Sequence, residues 1–591
     1  MFARLRPLVP YLKRYWKSLA WGGVAVIFYN VIKVILPLVI GQAIDDMHHG
    51  LTEEKILHHA LRLLLVAAMS AIFLYITRQV IIGASREIEF DLRNDLFRNL
   101  ERQPPNFYHT HRTGDIMART TNDLNAVRQL LGPAIMYSAN TIVFTAAALP
   151  FMWRISPKLT MCAFVPLPIA SVLVQYFGNR IHTRFERIQA MFSDISAKAQ
   201  ENFSGARLIR AFAQEEAEIA SFETANQEYI RRSLLLVRLM AMLWPTLEFV
   251  LGLSLMIALL VGGHEVVAHR ISVGQFTSFM VYMVQLTWPM IAIGWVVNLF
   301  QRGTASVVRI DELLKQEPEI WDEGGVEFAT EPIAGAITFR GLNFSYPGSN
   351  GAGSDGAGNP VLAGIDLEIP EGSSLALVGP TGSGKSTLVS LVPRLQDAAP
   401  GMVLIDGRPI RSFRLAELRE SIGFVPQETF LFSDTIRDNI AFGAPAATIE
   451  EVEQAAETAH IRTEVLEFPK GFETMVGERG VTLSGGQKQR TAIARAVIRE
   501  PRILILDDAL ASVDTYTEDQ ILSGLRRVMQ GRTTIFISHR VSTARHADQI
   551  AVLVEGRIAE LGTHDELLAR GGYYTSLYEK QQLEEELAVT C

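Results

Sequence analysis

Apolar residues crowd into the first half of the chain, in runs too long for ordinary core helices. A membrane span needs about 20 predominantly apolar residues. Six stretches ahead of residue 305 meet that length: Leu19–Ile44, Leu61–Ile82, Ala134–Trp153, Leu159–Phe177, Leu239–Gly263 and Gln275–Leu299. One soluble helical bundle has no room for so many, so the pattern predicts a membrane all-α domain of six helices over residues 1–310. The segments 83–133 and 178–238 between them are charged and helix-patterned, and are expected to project from the bilayer as helical extensions. Residues 311–334, charged and punctuated by proline and glycine, read as a linker. From 335 to 591 the pattern changes to short apolar runs, Ala336–Phe339, Ser374–Val378 and Ile503–Leu506, which read as strands of an α/β domain.

Charge orients this arrangement. Arg4, Arg6, Lys13, Arg14 and Lys17 precede the first span and favour a cytoplasmic N-terminus, whereas the acidic loop 45–54 suits the outer side. An even number of spans then returns the chain to the cytoplasm. The N-terminus lacks the pattern of a cleavable signal, because its first span is too long. Hydrophobic residues make up 48% of the chain and mean hydropathy is +0.18, which excludes an ordinary soluble enzyme of this size. A net charge of −8 gives no reason to expect nucleic acid as a partner. Two cysteines, Cys162 and Cys591, make neither a disulfide framework nor a metal site.

The chemistry lies in the second half. Residues 379–387 read Gly-Pro-Thr-Gly-Ser-Gly-Lys-Ser-Thr between a strand and a helix-forming stretch. Gly382 and Gly384 let backbone N–H groups close around phosphate oxygens at a helix N-terminus. Gly379, Thr381, Ser383 and Thr387 complete that loop. Lys385 would reach the terminal phosphates of a nucleotide and Ser386 would offer its hydroxyl to Mg²⁺. Far downstream, the strand Ile503–Leu506 ends in Asp507, a suitable second Mg²⁺ partner, followed by Asp508.

Leu483-Ser-Gly-Gly-Gln487 occurs in order between these two motifs. With it, the chain resembles the ABC transporter ATPase, and the resemblance implies an α/β P-loop NTPase domain of ABC type with ATP and Mg²⁺ as cofactors. It assigns Ser484, Gly485, Gly486 and Gln487 to the family signature and Gln427 to the lid-loop glutamine, beside the metal. By the same resemblance Asp514 belongs to the loop after the catalytic acid, His539 is the switch histidine and Tyr346 the adenine-stacking aromatic. Residues 106–119 and 201–212 resemble the coupling-helix regions of ABC exporters, and 474–480 the exporter loop that meets them. The Gly-rich insertion 348–360 receives no function.

The family's hydrolysis uses a glutamate where this chain has Asp508. A carboxylate one methylene shorter sits about 1–1.5 Å farther back, a displacement that can cost roughly 10²-fold in rate. The same departure marks the weak site of heterodimeric ABC exporters. In this family one domain's signature completes another's nucleotide site, so a second half-transporter is required. A heterodimer is the favoured reading, with a homodimer as the alternative. The fused order resembles an exporter moving drugs or lipids out of the cytoplasmic leaflet of the cell membrane by alternating access. A lipid flippase working as a homodimer, or an ATP-gated channel or sensor, are the alternatives. Asn30, Arg78, Asn140, Glu248 and Asn298 are candidate cavity residues, since polar groups inside spans are costly. Trp244, Trp288 and Trp295 are candidate aromatic lining, and no spacing selects a cargo.

Overall fold

The computed structural model describes residues 2–48, 52–322, 328–329, 331–346, 360–477, 480, 482–510 and 515–590. It divides into two compact units. The first comprises residues 1–101 and 112–316, the second residues 102–111 and 317–591.

Among the described residues the first unit is built of helices joined by short turns. Its principal helices are α1 (Trp16–His48), α2 (Glu53–Glu101), α3 (Thr113–Ile155), α4 (Pro157–Phe164), α5 (Leu167–Ser204), α6 (Glu215–Val267) and α7 (Val273–Leu314). Among the described residues five of these, α1, α2, α3, α6 and α7, are long and apolar enough to cross a membrane. The fourth predicted stretch, 159–177, is broken between α4 and α5. The break falls at Val165–Pro166, where proline's missing N–H and its ring interrupt the helical ladder.

Some polar groups inside the apolar bundle are paired, whereas the buried Thr77 and Ser254 hydroxyls have no hydrogen-bond partner. The Asn30 amide donates to Asn140 Oδ1 and to the Val26 carbonyl, both at 2.8 Å, joining α1 to α3. The Tyr282 hydroxyl donates to the Val34 carbonyl at 2.6 Å, tying α7 to α1. Farther along the same contact α1 and α7 meet backbone to backbone. A Cβ on Gly274 would lie 2.0 Å from the Gly41 carbonyl oxygen, so any side chain there forces the helices apart. Asp45 seals that crossing by accepting from the Ser272 hydroxyl at 2.5 Å and the Gly274 N–H at 2.7 Å.

The start of the expected linker is helical. The α7 helix runs on to Leu314, with Ile310 and Leu313 buried and the Asn99 amide donating to the Leu313 and Gln316 carbonyls. Buried apolar positions at helical spacing outweigh the charged residues between them.

The second unit is built on two sheets. The strands are β1 (Ile337–Phe344), β2 (Leu362–Ile369), β3 (Ser374–Val378), β4 (Val403–Ile405), β5 (Arg408–Pro409), β6 (Ile422–Val425), β7 (Ile503–Asp507), β8 (Thr533–Ile537), β9 (Gln549–Val554) and β10 (Arg557–Gly562). The antiparallel sheet has order β2-β1-β4-β5 and the mixed six-stranded sheet β10-β9-β3-β8-β7-β6. Within the latter β9, β3, β8, β7 and β6 pair in parallel and β10 runs antiparallel at the edge. Alternate residues of the central strands enter different cores. Ala376, Leu504 and Leu506 face one, while Leu375, Ile503 and Ile505 face the other. A sheet covered on both faces explains why these strands read as continuous apolar runs rather than alternating ones. In such a sheet, ligands meet the loops beyond the carboxyl ends of the strands.

Candidate nucleotide site

The loop between β3 and α8 (Lys385–Ser390) has the backbone its glycines predict. Gly384 takes φ +98° directly before the helix, and a Cβ there would meet Leu362 Cδ2 at 2.8 Å. Gly379 takes φ +145°, and its Cβ would lie 2.1 Å from the Leu553 carbonyl. Both positions therefore demand glycine, for conformation and for space. Thr381 and Gly382 are exposed at the loop's tip and Ser383 is buried. The Ser383 hydroxyl is without a hydrogen-bond partner, an orphan that a phosphate oxygen would satisfy.

Lys385 is buried and folds into its own loop. Its ammonium donates to the carbonyls of Gly379 at 2.9 Å and Pro380 at 2.8 Å. Burial lowers its pKa, against the attraction of Asp508 and Asp507. The Ser386 hydroxyl donates to Asp507 Oδ1 at 2.9 Å, so the two proposed metal partners already touch. Asp507 ends β7 inside the protein, 5% exposed, and burial raises its pKa, with the Asp508 charge adding to that effect.

Asp508 and His539 stand at the ends of adjacent parallel strands, since Asp507 pairs in register with Ile537. The His539 Nε2 lies 4.0 Å from Asp508 Oδ2. Gln427 is exposed two residues beyond β6, the strand next to β7, whose Leu506 pairs with Val425. Tyr346 lies just past β1; its hydroxyl is 3.0 Å from Thr387 Oγ1 and its ring packs edge-on to Phe344. Of the seven separate stretches of sequence that supply the candidate residues, five thus lie at or just past the strand ends, and two are exceptions.

The first exception is the signature. Ser484 caps α9 (Gly485–Val497) in a capping box with Gln487, leaving Ser484 and Gly485 exposed and Gly486 half-buried. Its hydrogen bonds run away from the phosphate loop: the Gln487 amide donates to Glu464 Oε2 at 3.0 Å, and Arg490 pairs with the same carboxylate at 2.6 Å. The second exception is Asp514, which lies outside the described residues, as do residues 348–359 of the Gly-rich insertion.

Two contacts had no motif to announce them. Gln581 of α10 (Tyr573–Thr590) brackets the loop that carries His539: its amide donates to the His539 carbonyl at 2.6 Å and its Oε1 accepts from the Val541 N–H at 2.7 Å. Glu464, which anchors the signature, sits 20 residues before it in a stretch with no motif of its own.

Comparison with known proteins finds relatives over nearly the whole chain. Residues 19–290 match the ABC transporter transmembrane region and residues 362–511 the ABC transporter family. The chain is 38% identical over 585 residues, 99% of itself and 98% of the relative, to the probable multidrug resistance ABC transporter ATP-binding/permease protein YheI of Bacillus subtilis (strain 168). It is 36% identical to the multidrug resistance-like ATP-binding protein MdlA of Escherichia coli (strain K12), covering 98% of this chain and 96% of that one. An ATP-dependent lipid A-core flippase of Syntrophus aciditrophicus (strain SB) is 33% identical over 99% of this chain and 95% of its own. In structure, a bacterial Atm1-family ABC exporter with ATP bound superposes with TM-score 0.77 at 28% identity, over 96% of this chain and 98% of that one.

Proposed function

The chain belongs to the ABC transporter family, as a transmembrane exporter domain fused to an ABC ATPase domain, and from that premise we propose that it is the slow-hydrolysing half of an exporter for amphipathic compounds, drugs or lipids. Exporters of this kind work as dimers of half-transporters, and the ATPase domain couples ATP hydrolysis to transport. The domain division we propose follows the two units, with residues up to 316 forming the membrane domain, the rest of the linker to 334, and the ATPase domain to 591. The first cytoplasmic segment, by its resemblance to the coupling-helix regions of ABC exporters, would serve as a coupling segment. The tip of the second is apolar and uncovered, with Phe203 80% and Phe212 68% exposed, as a segment meant to press on another surface would be.

The observation that carries the hydrolysis reading is the row Lys385, Ser386, Asp507, Asp508 and His539 at one sheet edge. Lys385 would release its two carbonyls to bind terminal phosphates. Ser386 and Asp507 would hold Mg²⁺, which supplies charge neutralisation at the phosphates. Gln427 would approach from the adjoining strand, and Tyr346 beside Thr387 is placed to stack on a base. His539 would hold a terminal phosphate oxygen. Asp508 would orient the attacking water, with a carboxylate one methylene short of the family's glutamate. This supports ATP binding with slow turnover, and a heterodimer whose other chain brings the glutamate; the exposed signature of this chain would complete that other site.

The test is steady-state ATPase activity of the full-length chain alone in lipid, beside Asp508→Glu and Lys385→Ala. We expect near-zero turnover for the wild type and a gain of about 10²-fold in Asp508→Glu. Brisk wild-type turnover that disappears in Lys385→Ala would mean that aspartate suffices and would overturn the slow-site reading.

A further inference from the structure

The most unusual charge outside the nucleotide site is Lys33, near the middle of α1. It lies 17 residues after Trp16 and 15 before His48, or about 25 and 22 Å from the two helix ends at 1.5 Å per residue. Lys33 lies inside the apolar run Leu19–Ile44, 11 residues or more from either end of it, and a lysine stem reaches only about 6 Å. Lys33 is half-buried, and its Nζ sits 4.7 Å from the centre of the Phe144 ring on α3 and 5.8 Å from that of Tyr29. Cation–π contacts of this kind offset only part of the cost of a membrane-buried charge. Among the described residues no carboxylate lies within ion-pair distance of it.

The surroundings are built from both sides of the α1–α3 contact. One turn from Lys33 on the same face of α1, Asn30 is bonded to Asn140, and Asn140 is one turn from Phe144 on α3. The polar pair and the cation therefore form one patch inside the apolar bundle. A second cation lies toward the Trp16 end. The α1–α2 register is set by Gly22 against Ile81 and by Phe28 stacked on Phe73 at 5.3 Å. That register places Arg78 below Tyr29, and the two are within electrostatic reach. Arg78 is exposed and has no acidic partner among the described residues.

A cation this deep needs a counter-charge, and the chain's own described residues do not supply it. From this we infer that Lys33, set beside the Asn30–Asn140 pair, receives the anionic group of the transported compound, so that the cargo is an amphiphile with a phosphate or carboxylate head. The inference rests on the exporter reading and names its substrate class. Arg78, nearer the Trp16 end of the same helices, is placed to attract such a head group before it reaches Lys33. The aromatic faces of Phe144 and Tyr29 hold the ammonium in place when the cargo has left.

The experiment uses the ATPase-active dimer containing the full-length chain, in nucleotide-free nanodiscs of neutral phosphatidylcholine. Equilibrium binding of a dansyl-tailed dodecyl phosphate is compared with that of its trimethylammonium counterpart, for the wild type, Lys33→Gln and Lys33→Arg. The wild type is expected to prefer the phosphate probe by about tenfold or more, Lys33→Gln to lose that preference, and Lys33→Arg to keep it. Millimolar inorganic phosphate should not displace the probe; displacement would mean that the site takes a free anion, which overturns the amphiphile assignment. Equal affinities for both probes, or a preference that survives in Lys33→Gln, would mean that Lys33 is neutralised within the protein and the inference fails. ATP-driven uptake of both probes into proteoliposomes is followed alongside. Transport without anion selectivity would sink this inference alone, whereas no ATP-driven movement of either probe would count against the exporter reading itself.

Discussion

Asp508 sits at φ +50°, in the left-handed region that side-chain-bearing residues rarely enter. Aspartate tolerates that conformation better than glutamate, because its short polar side chain bonds locally. The Asp508→Glu variant therefore trades reach against backbone strain, and we expect it to lose about 1 kcal/mol of stability or less while it gains activity. Its neighbour raises a different conflict. Asp507 has a pKa raised by burial, so the folded protein holds its proton more tightly than the unfolded chain does. A raised folded value gives stability at low pH that is lost as pH rises through it; at neutral pH the ionised carboxylate costs stability. Asp507→Asn removes that charge and keeps an oxygen for Ser386. In metal- and nucleotide-free protein it should melt about 2–4 °C higher at pH 7.5, the shift expected for about 1 kcal/mol in a domain of this size. The gain should shrink as pH falls toward the usual carboxylate range, and ATPase activity should be lost. Scanning fluorimetry across pH reads this directly, and a constant shift at every pH would assign it to something other than the charge.

Elements differ in how much of themselves the sequence betrays. The phosphate loop was legible because its glycines are needed twice over, for φ and for clearance at Gly379 and Gly384. The central strands were legible because both faces are buried. Helix ends were not: α7 overruns into the expected linker because Ile310 and Leu313 find a buried face, and a hydropathy run cannot show how Pro166 divides α4 from α5. Hardest to foresee is α10. It carries no motif, yet Gln581 holds the His539 loop through two backbone bonds 42 and 40 residues away in sequence. We propose that Gln581 is a positioning residue, acting through His539. Gln581→Ala should lower kcat about 5- to 10-fold in the ATPase-active dimer with little change in KM, since geometry at the switch loop is lost while the nucleotide contacts remain. Gln581→Glu keeps the acceptor for Val541 but not the donor for His539, and should fall between. A matching rise in KM would place the helix in nucleotide binding instead.

At the scale of the whole molecule, the two halves of one catalytic requirement face solvent separately. Thr381 at the phosphate loop and Ser484 at the signature are both exposed, and the signature's own bonds tie it to Glu464 rather than to the loop. Complementary donors left uncovered on one chain are satisfied by a second chain, and ATP between them would supply the differential affinity that favours the closed pair. Sequence motifs announce both halves but carry no information on which chain provides the second, because the choice depends on a surface and not on a spacing. Cysteines at the two positions convert that choice into a measurement. In a background with Cys162 and Cys591 replaced by alanine, Thr381→Cys on this chain and a cysteine at the matching signature serine of a glutamate-bearing half-transporter should form an intermolecular disulfide on mild oxidation. The bond should form faster with ATP than without it. The Thr381→Cys/Ser484→Cys double variant of this chain expressed alone should give little product. Efficient ATP-dependent dimer formation by that double variant alone would make the homodimer the working assembly and Asp508 its sufficient acid. A disulfide confined to a single chain would contradict the separation of the two surfaces from which the dimer argument proceeds.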